Sequence, residues 1–112
     1  MALVITRRFG RTGLDMPVFS CGGMRFQSSW RDTGQEIDPS AQAALADTVR
    51  TGLELGINHI ETARGYGTSE RQLGMLLPEL DRDALILQTK IGPHPDPTVF
   101  LDHVRESLRR LN

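Results

Sequence analysis

Two rhythms of apolar and polar residues alternate along this chain. Short runs of consecutive apolar residues are followed by longer stretches in which apolar residues return every third or fourth position. Leu3 to Arg8 and Leu14 to Met16 flank a turn through Gly10 and Gly13 and predict an opening hairpin, because tight turns need the positive φ that glycine supplies. Val18 to Cys21 predicts a buried strand ending at Gly22-Gly23, and a polar loop holding Trp30 runs from Arg25 to Ile37. Asp38-Pro39 then opens a helix, with an acceptor side chain at the cap and proline at the first helical position. Ala41, Leu45, Val49 and Leu53 mark its buried face, and Gly56 ends it as a left-handed cap.

Asn58 to Thr62 predicts the next strand. After a turn framed by Gly65 and Gly67, a second helix is capped by Thr68 or Ser69, with Glu70 set against the positive end of its dipole. Leu73, Leu76, Leu77 and Leu80 give its apolar face, and Pro78 brings it to an end. Ala84 to Thr89 contains Leu85, Ile86 and Leu87 in succession, a run that suits a strand covered on both faces. Asp96-Pro97 repeats the cap logic of Asp38-Pro39. Phe100, Val104, Leu108 and Leu111 line the third helix, and Asn112 falls where a left-handed cap residue is expected.

The order is a hairpin (1–17) followed by three strand–helix units (18–56, 57–81 and 82–112). Such alternation predicts an α/β fold with a parallel sheet and right-handed crossovers. Three parallel strands leave open edges, and a closed barrel of eight such units takes about 250 residues. The expectation is therefore the first three-eighths of a barrel, with a small self-contained three-layer domain as the competing architecture.

Composition narrows the partners. With 38% hydrophobic and 24% charged residues, 112 residues suffice for a small core. A net charge of −1 offers no field to attract nucleic acid or anionic lipid, and no apolar run approaches the ~20 residues that span a bilayer. Cys21, the only cysteine, reads as a small buried hydrophobe in a reducing, cytoplasmic setting. His59, His94 and His103 lack ligand spacing, so no metal site is expected, and His59 reads as a satisfied core residue.

The polar residues of interest fall at the ends of predicted strands: Gly22-Gly23, Glu61 and Lys90, with Tyr66 just beyond Glu61. Taken singly, each has a plain structural explanation: a surface ion pair, a loop-capping phenol, a solvated amine. Together they form a proton-transfer set. A buried lysine ammonium needs a counter-charge, which Glu61 on the neighbouring strand is placed to supply. Phenol, with an ordinary pKa of about 10, becomes a better acid when a cation lies within about 4–6 Å. Tyr66 is thus a candidate general acid for a carbonyl oxygen, working with a reductant.

FGRTGLDMPVFSCGGMRF (Phe9 to Phe26), GINHIETARGYGTSERQLGMLL (Gly56 to Leu77), LQTKI (Leu87 to Ile91) and ESLRRLN (Glu106 to Asn112) resemble the N-terminal portion of the aldo-keto reductase superfamily. The resemblance implies the hairpin and first three βα units of a (β/α)8 TIM barrel. It also implies hydride transfer from NADPH, or NADH, to a small-molecule aldehyde or ketone. It makes Tyr66 the proton donor and Lys90 the residue that lowers its pKa. Glu61 stands where the family normally has aspartate, one methylene longer, and Gly22, Gly23, Met24 and Glu61 fall near the nicotinamide. The family's active-site histidine and most of its dinucleotide contacts come from later strands. Alternative expectations are a non-catalytic cofactor-sensing protein on the same scaffold, or an inactive truncated fragment that self-associates to cover its edges.

Overall fold

The computed structural model describes residues 3–112. Its hairpin pairs β1 (Thr6–Arg8) antiparallel with β2 (Asp15–Pro17), in the register Thr6 to Pro17. The turn between them bends at Gly10 and Gly13, both at positive φ. Residues 1 and 2 of the predicted hairpin segment lie outside the described residues. The amides of Leu3 and Val4 both donate to the Leu55 carbonyl, which seats the hairpin against the end of the first helix.

Three short strands follow, β3 (Cys21–Gly22), β4 (His59–Glu61) and β5 (Ile86–Gln88), paired in parallel in the order β3-β4-β5. Gly22 lies opposite Glu61, and Glu61 opposite Gln88. The helices are α1 (Pro39–Glu54), α2 (Ser69–Leu76) and α3 (Pro97–Arg110). Asp38 accepts from the Ser40 amide and Asp96 from the Thr98 amide, so both Asp-Pro pairs cap their helices. Gly56 (φ 90°) and Asn112 (φ 63°) adopt the left-handed conformation beyond α1 and α3. A 3-10 turn carrying Pro78 follows α2.

The core joins Ile60 and Leu85 of the sheet region to Leu45 and Val49 of α1, Leu73, Leu76 and Leu77 of α2 and its following turn, and Leu111 and Phe26. α2 and α3 touch through Gly74, where an added Cβ would stand 1.8 Å from the Arg110 carbonyl oxygen. Only a residue without a side chain fits this contact.

Four expectations are corrected here. The predicted strand at Val18 to Cys21 is shifted to Cys21–Gly22. Val18 instead donates its amide to Ile5 of the hairpin, outside the parallel sheet, and the Val18 and Phe19 side chains are exposed. Ile86 and Leu87 are only partly buried, rather than covered on both sides, because β5 is an edge strand of the three-stranded sheet. Cys21 is likewise half-buried. On α3, Leu108 is 64% exposed and its neighbour Ser107 is fully buried in its place. Adjacent helical positions differ by about 100°, and the close α2–α3 contact turns the small residue inward.

The loop between β3 and α1 is clipped to α2 by Asp32, whose carboxylate accepts from Arg71 Nε at 3.0 Å and lies near Arg110. Partial burial works to raise the Asp32 pKa, but the hydrogen bonds from Arg71 and the Gly34 amide, with the two arginine charges, hold it below the usual 3.8.

Two predictions follow from this packing. Gly74→Ala should lower the unfolding free energy by about 1–3 kcal/mol in urea titration, the cost of forcing atoms into a filled contact; an unchanged midpoint would refute the close crossing. Asp32→Asn should cost about 1–2 kcal/mol near neutrality. Because the folded pKa is depressed, that contribution is present above pH 3.8 and is lost as pH falls through the folded value. The stability gap between wild type and variant should therefore close in acid, and a gap independent of pH would contradict the ion pair.

Candidate active site

Each strand of the parallel sheet delivers one group to the same end of the sheet. β3 runs into Gly23, β4 ends on Glu61, and two residues past β5 comes Lys90. Glu61 joins all three. Its Oε1 accepts the Gly23 amide at 3.1 Å, and its Oε2 forms an ion pair with Lys90 Nζ, whose side chain is 43% exposed rather than buried as expected, because it projects from the open end of the sheet. Gly23 must be glycine, since a Cβ would lie 2.5 Å from the Glu61 carbonyl oxygen. At Gly22 a Cβ would come 3.5 Å from Glu61 Oε1, so its absence leaves the carboxylate approachable from that side.

Tyr66 reaches the same cluster from the turn after β4. Lys90 Nζ stands 4.8 Å from the centroid of its ring, within the range of a cation–π contact. The Lys90 pKa is raised above 10.5, chiefly by its hydrogen bond to Glu61 and next by its contact with Tyr66, against a smaller opposing effect of desolvation. The backbone fixes this arrangement. The β4–β5 ladder continues past the strands, with Thr62 N–H donating to Gln88 at 2.8 Å and Arg64 N–H donating to Lys90 at 2.9 Å. Tyr66 N–H then closes the turn onto Ala63 at 3.0 Å. The loop before α1 crosses this turn so closely that a Cβ on Gly67 (φ +52°) would overlap the Ser29 carbonyl oxygen.

Polar residues support the cluster from behind. Ser69 Oγ donates to the Gly23 carbonyl at 2.8 Å, which leaves Thr62 to donate to Ser69 at 2.7 Å. Thr68 does not cap α2 through its side chain, contrary to expectation. Its hydroxyl accepts the amides of Ser28 and Ser29 and bonds to Gln72, so it serves the crossing loop instead. One layer along the sheet, His59 lies between Ser20 (2.6 Å to Nδ1) and Gln88 (3.0 Å to Nε2). The oxygen that Nε2 meets is Oε1 of the Gln88 side-chain amide, which accepts from an imidazole N–H, while Nδ1 pairs with the Ser20 hydroxyl.

Glu61, Tyr66, Lys90, Gly22 and Gly23 are thus in one place. Met24 follows on a 3-10 turn with its side chain exposed. The sequence pattern offers Thr68 and Ser69 only as helix caps and does not single out Thr62 or Gln72 as supports, although the polar opening of α2 was the available signal. Among the described residues, no group of three or more His, Cys, Asp or Glu could hold a metal ion, and no helix is long and apolar enough to cross a membrane. A recess of about 440 Å³ between α2 and α3, lined by Arg71, Met75 and Arg109, shares no lining residue with the cluster.

The sequence profile of the Aldo/keto reductase family matches residues 19–112. Among solved structures, the Pseudomonas aeruginosa protein PA4992, assigned as an aldo-keto reductase, is 30% identical with a TM-score of 0.75; the match covers 98% of this chain and 44% of that one. The aldo-keto reductase AKR11C1 from Bacillus halodurans, in its holo form, is 25% identical with a TM-score of 0.72, covering 96% and 36%. The thermostable aldo-keto reductase Tm1743, solved with the inhibitor epalrestat, shares the fold at 24% identity and a TM-score of 0.78, covering 96% and 38%. The chain therefore spans less than half the length of the solved structures it resembles, and its open sheet is a partial barrel of their kind. No curated protein matches it.

Lys90 is the only lysine in the chain, so NMR titration of its ε-carbon resonance reports this site alone. Glu61→Gln should lower the midpoint toward 10.5. In the wild type, the raised value means that the pair's contribution to stability is present below pH 10.5 and is lost as pH rises through the folded pKa. An unmoved midpoint in the variant would disprove the pairing.

Proposed function

Because the chain belongs to the aldo/keto reductase family, we propose that it supplies the proton-donating half of a nicotinamide-dependent carbonyl reductase site. The observation that carries this reading is the placement of Lys90, paired with Glu61 and lying over the Tyr66 ring. In reduction of an aldehyde or ketone, negative charge develops on the carbonyl oxygen as hydride arrives at carbon. Tyr66 gives its phenolic proton to that oxygen. The Lys90 ammonium stabilises the charge left on the phenol, and Glu61 keeps the ammonium fixed in place.

Glutamate at 61 is longer than the family's usual aspartate. The extra reach is taken up between two partners, the Gly23 amide on one oxygen and Lys90 on the other. The residues fit the nicotinamide end of a dinucleotide: the bare backbone at Gly22 leaves open a space that a Cβ would narrow beside the carboxylate, and Gly22, Gly23, Met24 and Glu61 are the residues that would border the ring. The bound cofactor, NADPH or NADH, supplies the hydride. The substrate class is a small-molecule aldehyde or ketone.

The test uses this chain within a protein of its relatives' length, with NADPH and an aromatic aldehyde, following NADPH absorbance. Tyr66→Phe should lower kcat by at least about a hundredfold while cofactor binding persists. Full activity with phenylalanine at 66 would remove Tyr66 from the mechanism.

A further inference from the structure

Glu70 is fully buried in the first turn of α2, and the proton-transfer cluster does not use it. A carboxylate so placed needs partners. Its Oε1 accepts the Thr89 hydroxyl at 2.7 Å, and its Oε2 faces Arg110 Nη1 at 3.6 Å. Arg110 is itself held by Glu106 at 2.9 Å, and Glu106 also pairs with Arg64 in the Tyr66 turn. Thr89 is the residue immediately before Lys90. Its neighbours Gln88 and Lys90 turn their side chains to His59 and Glu61 of β4, whereas Thr89 turns to α2. The end of β5 is therefore gripped from both sides.

We propose that Glu70 and Thr89 are positioning residues: the hydrogen bond between them fixes the backbone rotation at the end of β5, and so directs the Lys90 side chain onto Glu61 and Tyr66, with Arg110 as counter-charge. The catalytic meaning of this grip rests on the reading of Lys90 as the partner of Tyr66; the grip itself does not. A rotation error at Thr89 is passed directly to the next residue and magnified along the four-carbon lysine stem. Arg64 N–H, bonded to the Lys90 carbonyl, fixes the position of that residue's backbone but not the direction of its side chain. The Glu70 contact supplies the missing restraint.

Lys90 being the only lysine, its freedom can be read by chemistry without turnover. Acetic anhydride attacks only the unprotonated amine, and the peptide containing Lys90 is followed by mass spectrometry at mildly alkaline pH, well below each variant's unfolding midpoint. Thr89→Val keeps the shape and removes the hydroxyl. Its Lys90 should be acetylated roughly threefold faster, corresponding to roughly half a pKa unit. Thr89→Ser should restore the wild-type rate. Glu70→Gln retains a weaker, neutral acceptor and should fall between wild type and Thr89→Val, which keeps the question open to measurement even if the valine variant does not fold. A folded Thr89→Val or Glu70→Gln with the wild-type rate, whatever its loss of thermal stability, overturns the proposal. So does a serine variant no slower than the valine one. In the barrel-length protein, Thr89→Val should lower kcat with KM unchanged. If the unsubstituted barrel-length protein reduces no carbonyl while the acetylation pattern holds, the functional reading fails and the grip on Lys90 stands.

Discussion

One carboxylate holds this end of the molecule together. Glu61 takes an amide from the β3 end and an ammonium from the β5 end, so three parallel strands converge on its two oxygens. Without the carboxylate, the exposed Lys90 ammonium would lose its ion-pair partner and the restraint that holds it over the Tyr66 ring, and the Gly23 amide would lose its acceptor. The requirement runs backward into the sequence too, because the backbone of the same residue leaves no space for a side chain at Gly23. The chemistry at the strand tips and the glycine that lets them approach are two sides of one steric and electrostatic constraint.

The helix α2 is the other half of that constraint. Thr68, Ser69, Glu70 and Gln72 are all fully buried, an unusual composition for the start of a helix packed against a sheet. Each is spent on a directional contact: to the crossing loop, to Thr62 and Gly23, to Thr89, to Ser28. Apolar packing tolerates sliding, whereas hydrogen bonds of fixed length and angle do not. A site whose groups must agree to within a fraction of an ångström is better supported by such contacts.

Much of this was legible in the residues themselves. The Asp-Pro pairs announced two helix starts, because their effect is local: a side-chain acceptor and a ring-locked φ act within three residues. Gly56 and Asn112 were equally local. Glu61 and Lys90 could be placed at strand ends because the apolar runs before them stop there. What the pattern could not convey was which faces neighbours cover. Val18 and Phe19 look like core residues and are exposed, while Ser107 looks like a surface residue and is buried; both outcomes depend on partners far away in the chain. Thr68 or Ser69 reads as the cap of its own helix, because nothing local signals that Ser28 and Ser29 claim the Thr68 hydroxyl.

The contacts that build the cluster also say something about when it can exist. Glu61 meets the Gly23 amide across 38 positions of chain and Lys90 across 29. Neither contact is available to a nascent helix or hairpin. Long loops must close before such pairings reward the ordering they require, which places them on the slow side of a folding reaction. The hairpin and the capped helices rest on local signals, whereas the Glu61–Lys90–Tyr66 cluster needs the β3–β4 and β4–β5 alignments in place. An unfolded chain thus holds Lys90 and Tyr66 apart from Glu61, and the three meet only in the native topology.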